Sequence, residues 1–245
     1  MIDDGAAADD ELLRAVAPLS LRSSIDGPSV ARPAGRSLSE LGPLTDHTAV
    51  GLYEGPFAAP LGDGPGTGPG RRAVAASVAC QAVAAQVASV ALLAELVVGT
   101  GLDVDLTDVR WRADGWGTRL GLVRLRRRPS RSPAEAVGAL VERFTAPWVA
   151  AVAGAEPVAE RLLWGDAAAA TWTALASVHA HRPLVAADLS AIEDVLTERV
   201  PWTDLVIVDR PATGPLSWHR STCCLILHAG LPPCDECPLP ADARR

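Results

Sequence analysis

The chain has 245 residues, a 49% hydrophobic composition and a formal net charge of −7. This length allows one large domain or two small ones, and this composition can bury a core without disulfides. The negative charge argues against a general nucleic-acid binder, because neutralising phosphates needs a basic face. The acidic start, Met1–Gly5, differs from a secretory signal, so we expect a cytoplasmic protein with thiols rather than disulfides.

Residues 1–70 are interpreted as an N-terminal extension. A short helix is predicted from Asp10 to Val16. The stretch from Gly55 to Gly70 is rich in glycine and proline, which respectively increase backbone freedom and remove hydrogen-bond donors. Its glycines do not form G-x-G-x-x-G after a strand, so it predicts a flexible loop rather than a phosphate-binding loop.

A long alanine-rich helix is predicted from Ala73 to Val98. Polar residues such as Ser77 and Gln86 interrupt it, and alanine gains little in lipid. The segment therefore predicts a closely packed core helix and no integral membrane span. Gly99 and Gly101 supply its C-terminal stop.

Two strands and several helices follow. A hairpin is predicted from Val109–Ala113 and Thr118–Arg126, and the basic run Leu125–Arg131 is interpreted as a solvated strand end. Ser132 and Glu135 predict a capping box for the next helix, which Pro147 should break or kink. Further helices are predicted over 156–164, over 166–181 with Asp166 as N-cap after a break at Gly165, and over 189–200.

These elements predict an α+β fold. We expect a mostly helical single domain with a small antiparallel sheet and a C-terminal cysteine-rich metal-cluster segment. The predicted boundaries are 1–70 for the N-terminal extension, 71–220 for the helical α+β domain and 221–245 for the cysteine-rich segment.

Four of the five cysteines form the pattern C-C-x9-C-x2-C: Cys223, Cys224, Cys234 and Cys237. Residues 223–227 are predicted to be extended, so the two adjacent side chains would point to opposite faces and reach one zinc ion only with distortion. A two-iron cluster eases this constraint. Four thiolates nevertheless suit a [2Fe–2S] cluster and a structural zinc ion alike, and redox dithiols are a third interpretation.

Other candidate residues favour ordinary structural roles. Cys80 lies in the alanine-rich helix, where cysteine acts as a small buried hydrophobe. His219 and His228 flank the cysteines and are interpreted as surface or supporting residues. The remaining candidates are tryptophans for which core packing is the preferred role over lining a substrate site: Trp164, Trp172 and Trp218.

Three segments resemble the FhuF-like ferric-siderophore reductase family. The tail Trp218–Leu227 with Cys234–Leu239 is similar to the family's C-terminal cysteine signature, Arg161–Asp166 to its L-W-G-N element, and Arg72–Trp111 to its alanine-rich helix and tryptophan-bearing strand. This chain has nine residues between the cysteine pairs where the family commonly has ten. It also has Asp166 where the family has asparagine.

The resemblance implies a cytoplasmic enzyme. Peripheral association with the inner face of the membrane is compatible with this expectation. It would use a [2Fe–2S] cluster on the four cysteines for one-electron reduction of siderophore-bound Fe(III), releasing Fe(II). Arg220 is a candidate for contacting the cluster or an anionic chelate. No flavin or nicotinamide fingerprint is present, so a separate electron donor is expected. Two alternatives stay open: a zinc-stapled accessory or binding protein, and a [2Fe–2S] electron-transfer or redox-sensing protein.

Overall fold

The computed structural model describes residues 11–17, 25–26, 36–37, 69–114, 117–122, 124–209 and 215–223, with Leu225 and Pro238. The helices are α1 over residues 11–16, α2 (Pro69–Leu96), α3 (Pro133–Leu140), α4 (Ala146–Ala155), α5 (Glu160–His181) and α6 (Ala186–Arg199). The strands are β1 (Ile25–Asp26), β2 (Arg36–Ser37), β3 (Thr100–Asp103), β4 (Val109–Asp114), β5 (Gly117–Leu122), β6 (Arg126–Pro129), β7 (Val206–Asp209) and β8 (Ser217–Arg220). The predicted mostly helical α+β class is confirmed.

The core is built around α2 and α5, which pack against each other along their lengths. Both helices carry fully buried alanines, such as Ala76 on α2 and Ala170 on α5, and side chains this small let packed helices approach closely. The predicted alanine-rich core helix is therefore confirmed. It ends before Gly99, whose φ of 82° is a conformation that glycine adopts without steric cost.

Two helical stretches, 73–96 and 133–155, are long and apolar enough to cross a membrane. Their most apolar windows are 78% and 56% buried within the fold, respectively. Buried core helices of soluble proteins have the same length and apolar composition as these two stretches.

The N-terminal region contributes to the same core. Leu12, Leu13 and Val16 of α1 are buried, β1 pairs in parallel with β5, and β2 pairs antiparallel with β4. The predicted loop from Gly55 lies outside the described residues as far as residue 68, because α2 begins at Pro69. The predicted boundary at residue 70 stays a prediction.

The predicted break at Pro147 takes the form of a π-helical turn, Val141–Thr145, between α3 and α4. The backbone N–H of Ala146 donates to the carbonyl of Val141, five residues earlier. Proline has no N–H to give and its ring clashes with the carbonyl four residues earlier, so one wider turn lets the helix continue past it. The Ser132–Glu135 capping box is present, as predicted.

The predicted hairpin forms, but its second strand is shorter than expected. β4 and β5 pair antiparallel from Val109↔Leu122 to Asp114↔Gly117. The extension of this strand to Arg126 was wrong, since Arg126–Pro129 is a separate strand, β6, which pairs antiparallel with β3. Acidic side chains beside β3 attract the arginines of β6. The alternation of side chains within one segment does not indicate which other segment it pairs with, so this strand pairing was not predicted.

The basic run is only partly solvated, contrary to its interpretation as a solvated strand end. Arg128 donates to Glu95 at 2.6 Å and to Asp103 at 2.8 Å, and its side chain is only 15% exposed. Arg131 donates to Asp103 at 2.9 Å. The wider network contains further arginines and carboxylates that tie β6 and the π-helical turn to the residues around β3: Arg126, Arg143, Asp105 and Asp108.

This network predicts a loss of stability in acid. Burial opposes ionisation of Asp103, but the hydrogen bond from Arg128 and the charges of Arg131 and Arg143 outweigh it and lower its pKa. A lowered pKa contributes stability that is present above the unfolded-state value of about 3.9 and is lost as the pH falls through the folded-state value. We expect Asp103→Asn to lower the free energy of unfolding by about 1–3 kcal/mol at neutral pH.

Urea unfolding of both proteins across pH measures this contribution. The difference between them should shrink as the pH falls below about 4. Asp194→Asn, an exposed aspartate on α6, is the control. A difference that stays constant from neutral pH into acid would contradict the assignment.

Candidate functional site

Of the four predicted cluster ligands, the structure describes Cys223. It is half-buried and follows the end of β8 by three residues. Cys224, Cys234 and Cys237 lie outside the described residues, as does His228. Within the described part of the chain, no group of three or more histidine, cysteine or acidic side chains is arranged to hold a metal.

The backbone entering the cysteine pair is not the strand that was predicted. β8 ends at Arg220, the chain bends at Ser221 and Thr222, and Leu225 has a φ of 60°. This positive φ is unusual for a residue other than glycine. The prediction of extended backbone is therefore wrong at Leu225. The extended segment that was the basis for placing the adjacent cysteines on opposite faces is interrupted at that residue.

Two hydrogen bonds to backbone carbonyl groups hold the bend in place. The N–H of Ser221 donates to the carbonyl of Leu205 at 2.9 Å, which extends the β7–β8 pairing by one bond. The Nε of Arg220 donates to the carbonyl of Thr222 at 3.2 Å. Both interactions fix the chain immediately before Cys223, and neither is visible in the sequence pattern.

Arg220 lies beneath this bend and not on the surface. Its side chain and that of Asp166 on α5 are fully buried and form an ion pair. The hydroxyl of Ser77 on α2 donates to the other carboxylate oxygen of Asp166 at 2.6 Å. Asp166 lies inside α5 and is not an N-cap, so both that prediction and the predicted helix break at Gly165 are wrong.

Gly165 keeps its place in α5 because of the chain that packs on it. A Cβ added to Gly165 would lie 2.0 Å from Oγ1 and 3.1 Å from Cβ of Thr222. Glycine costs a helix interior up to about 1 kcal/mol relative to alanine. Here the missing side chain leaves the space that the bend before Cys223 occupies.

The fifth cysteine, Cys80, lies in the same buried region and acts as the predicted small hydrophobe. It is fully buried, and its Sγ lies 3.8 Å from the carbonyl of Leu163. Burial raises the pKa of the Cys80 thiol well above its ordinary value, and the negative charge of Asp166 raises it further. Cys80 is therefore a protonated thiol shielded from solvent.

We predict that iodoacetamide at about pH 8 modifies Cys80 only after unfolding, because the thiolate is the nucleophile. Peptide mapping by mass spectrometry of native and urea-unfolded protein, each with metal removed, measures the modification. The urea-unfolded sample is the internal control, because Cys80 should react there. Modification of Cys80 in the native protein at the rate seen in urea would contradict the burial and protonation of Cys80.

The other candidate side chains fall into three groups. Trp164 and Trp172 are buried in the core, as predicted. Trp218 is half-buried and packs against the core. His219 is exposed, which fits a surface residue.

The three segments that carry the family resemblance meet at one place in the fold. The alanine-rich helix supplies Ser77 and Cys80, the segment 161–166 supplies Gly165 and Asp166, and the tail supplies Arg220 with its neighbour Thr222. The hydroxyl oxygen of Thr222 is shielded from solvent and has no hydrogen-bond partner among the described residues. Thr222 directly precedes Cys223, so a thiolate or sulfide sulfur near Cys223 could accept a hydrogen bond from this hydroxyl group.

No protein-family model matches this chain, and no curated protein sequence matches it either.

Proposed function

We propose that this protein is a cytoplasmic ferric-siderophore reductase that transfers one electron at a time to chelated Fe(III) and releases Fe(II). Peripheral association with the inner face of the membrane is compatible with this function. The observation that carries it is the meeting of the three family-like segments beneath Cys223. Residues of α2, α5 and the chain after β8 are far apart in sequence and come together where the cysteine motif begins.

The proposed cofactor is a [2Fe–2S] cluster held by the thiolates of Cys223, Cys224, Cys234 and Cys237. When bound, it supplies a one-electron carrier whose potential depends on the charges and hydrogen bonds around it. The half-buried position of Cys223 would allow electron exchange with molecules outside the protein. Each Fe(III) takes up one electron to become Fe(II), which binds hard oxygen chelators more weakly, so reduction is release. The electrons come from a separate donor.

Arg220 enters this proposal as a positioning residue and not as a contact for the substrate. Its guanidinium is fully buried and paired with Asp166, so it does not reach a chelate outside the protein. Its hydrogen bond to the carbonyl of Thr222 holds the backbone that leads into Cys223. Asp166 and Ser77 in turn hold Arg220, which leaves a balanced pair of charges beneath the site.

A zinc-stapled accessory or binding protein remains the second candidate, and one observation favours keeping it. Leu225 has a positive φ, so the predicted extended segment that would place the adjacent cysteines on opposite faces is interrupted directly after the pair. Four thiolates can then hold one tetrahedral zinc ion. The third candidate, a cluster protein for electron transfer or redox sensing, differs only in lacking the reductase activity.

Metal analysis of the full chain, purified without oxygen, separates these functions. We expect equal amounts of iron and acid-labile sulfide, and a coloured protein that dithionite bleaches. Serine replacement of Cys234 should remove most of the iron, whereas Cys80→Ser should retain it, because Cys80 lies in the core. A colourless protein loaded with zinc would contradict the proposal. A coloured protein that a low-potential donor reduces, but that never reduces a ferric chelate, would favour electron transfer or sensing.

A further inference from the structure

A cleft of about 480 Å³ lies between α5, α6 and β7. Its walls include the half-buried side chain of Trp202 and the apolar side chains of Leu196 and Val206, and the buried Trp172 also borders it. Sites for small molecules are usually apolar clefts of about 300–1,000 Å³ with a few polar groups. This cleft therefore has the size and the lining of a small-molecule site. A second cavity, beside Glu95, has a volume of only about 10 Å³.

The cleft adjoins the chain that leads to the cysteines. Leu205 and Val206 belong to its wall. The carbonyl of Leu205 accepts the hydrogen bond from Ser221 at 2.9 Å, and Val206 is the register partner of Arg220. Cys223 follows Ser221 by two residues, a chain length of at most about 7 Å. One wall of the cleft is thus joined directly to the start of the proposed cluster segment.

The cleft lining contains two carboxylates, Glu193 and Asp204. Asp204 is paired with Arg161 at 2.7 Å. Thr197 and Thr203 add hydroxyl groups to the same lining. Aromatic rings, hydroxyls and carboxylates together suit an organic molecule with an apolar body and a polar coordination centre.

We propose that this cleft binds the ferric chelate, with the organic body of the chelate against Trp202 and the neighbouring apolar side chains and the metal toward the Cys223 side. The inference rests on the proposed function and adds the location of the substrate to it. Fe(III) held here would accept one electron by way of the cysteine segment and leave as Fe(II), and the separate donor would supply the electron for the next turnover. The proximity of cleft and cysteine segment supplies the short path that this transfer requires.

Binding of a chelate that cannot be reduced tests the location without requiring activity. The probe is the gallium(III) complex of a hexadentate trihydroxamate, and equilibrium dialysis with gallium quantification against the full chain measures its affinity. Thr197→Trp fills the cleft from an exposed position on α6 and should weaken binding by at least about tenfold. Thr203→Trp fills it from another exposed position and guards against a folding defect in the first variant. Ser190→Trp, exposed on α6 outside the cleft, should bind as the unmodified protein does.

A charge reversal provides an independent test of the same location. Glu193→Lys should raise the affinity for a trianionic gallium tricatecholate, relative to the uncharged trihydroxamate complex, by roughly tenfold at low salt. Asp194→Lys changes the net charge equally, but Asp194 is exposed and outside the cleft lining, so its effect should be much smaller. Equal effects of the two reversals, unchanged binding in both cleft-filling variants, or no gallium chelate binding at all would overturn the inference.

Failure of the inference is distinguishable from failure of the proposed function. Iron and sulfide content and reduction of the ferric trihydroxamate are measured on the same preparations. A protein that holds a cluster and reduces the chelate, yet binds gallium chelates independently of the cleft variants, overturns the location alone. Cleft-dependent binding by a protein without a cluster supports the location and overturns the reductase function.

Discussion

Replacement of Asp166 by alanine is expected to lower the free energy of unfolding by roughly 3–5 kcal/mol, because it leaves the charge of Arg220 buried without its carboxylate partner. It also removes the acceptor of the Ser77 hydroxyl. Natural domains are stable by only about 5–15 kcal/mol, so this loss is a large share of the total. Urea unfolding followed by circular dichroism measures it.

Two further variants separate the charge from the shape. Asp166→Asn keeps an acceptor oxygen at the same place and should cost less than Asp166→Ala, which agrees with the asparagine expected from the family resemblance. Asp166→Leu combined with Arg220→Met removes both charges and should recover much of the stability. Its iron content should stay low, because the hydrogen bond from Arg220 to the carbonyl of Thr222 is lost as well. If Asp166→Ala unfolds within about 0.5 kcal/mol of the unmodified protein, the buried ion pair is not an anchor of the fold.

Replacement of Gly165 by alanine is expected to displace the bend before Cys223 and to lower stability by about 1–3 kcal/mol. The new Cβ would overlap the hydroxyl of Thr222 and press on its Cβ at 3.1 Å. Rotation of the Thr222 side chain relieves the first contact and not the second, so the backbone must shift. We therefore expect a reduced iron content together with the loss of stability.

The chain offers a matched control and a rescue for this prediction. A Cβ added to Gly154, near the end of α4, meets nothing within 4 Å, so Gly154→Ala should be neutral or slightly stabilising. Thr222→Ala in the Gly165→Ala background removes the hydroxyl and methyl groups and should recover part of the stability and of the iron. Gly165→Ala protein with unchanged stability and full iron content would show that the close contact has no role in holding the segment.

Periodicity, composition and end signals in the sequence predicted much of the helical framework. The alanine-rich helix and the Ser132–Glu135 capping box were predictable because they depend on residues close in sequence. The hairpin was predictable for the same reason, except for the end of its second strand. Local sequence predicts a helix break at Gly165, because a glycine inside a helix is locally unfavourable. The contact with Thr222 that makes it favourable comes from a residue 57 positions away.

Some features of the candidate site likewise depend on neighbouring residues, and others depend on residues that are distant in sequence. The spacing of the four cysteines and the buried character of Cys80 follow from the chain sequence alone, since thiol spacing and an apolar local environment are properties of neighbouring residues. Folding brings Asp166, Ser77 and Arg220 together as one buried unit and places a cleft beside the chain that leads to Cys223. A buried charge is stable only beside its partner, and which helices bring partners together depends on packing across the whole core rather than on any local pattern.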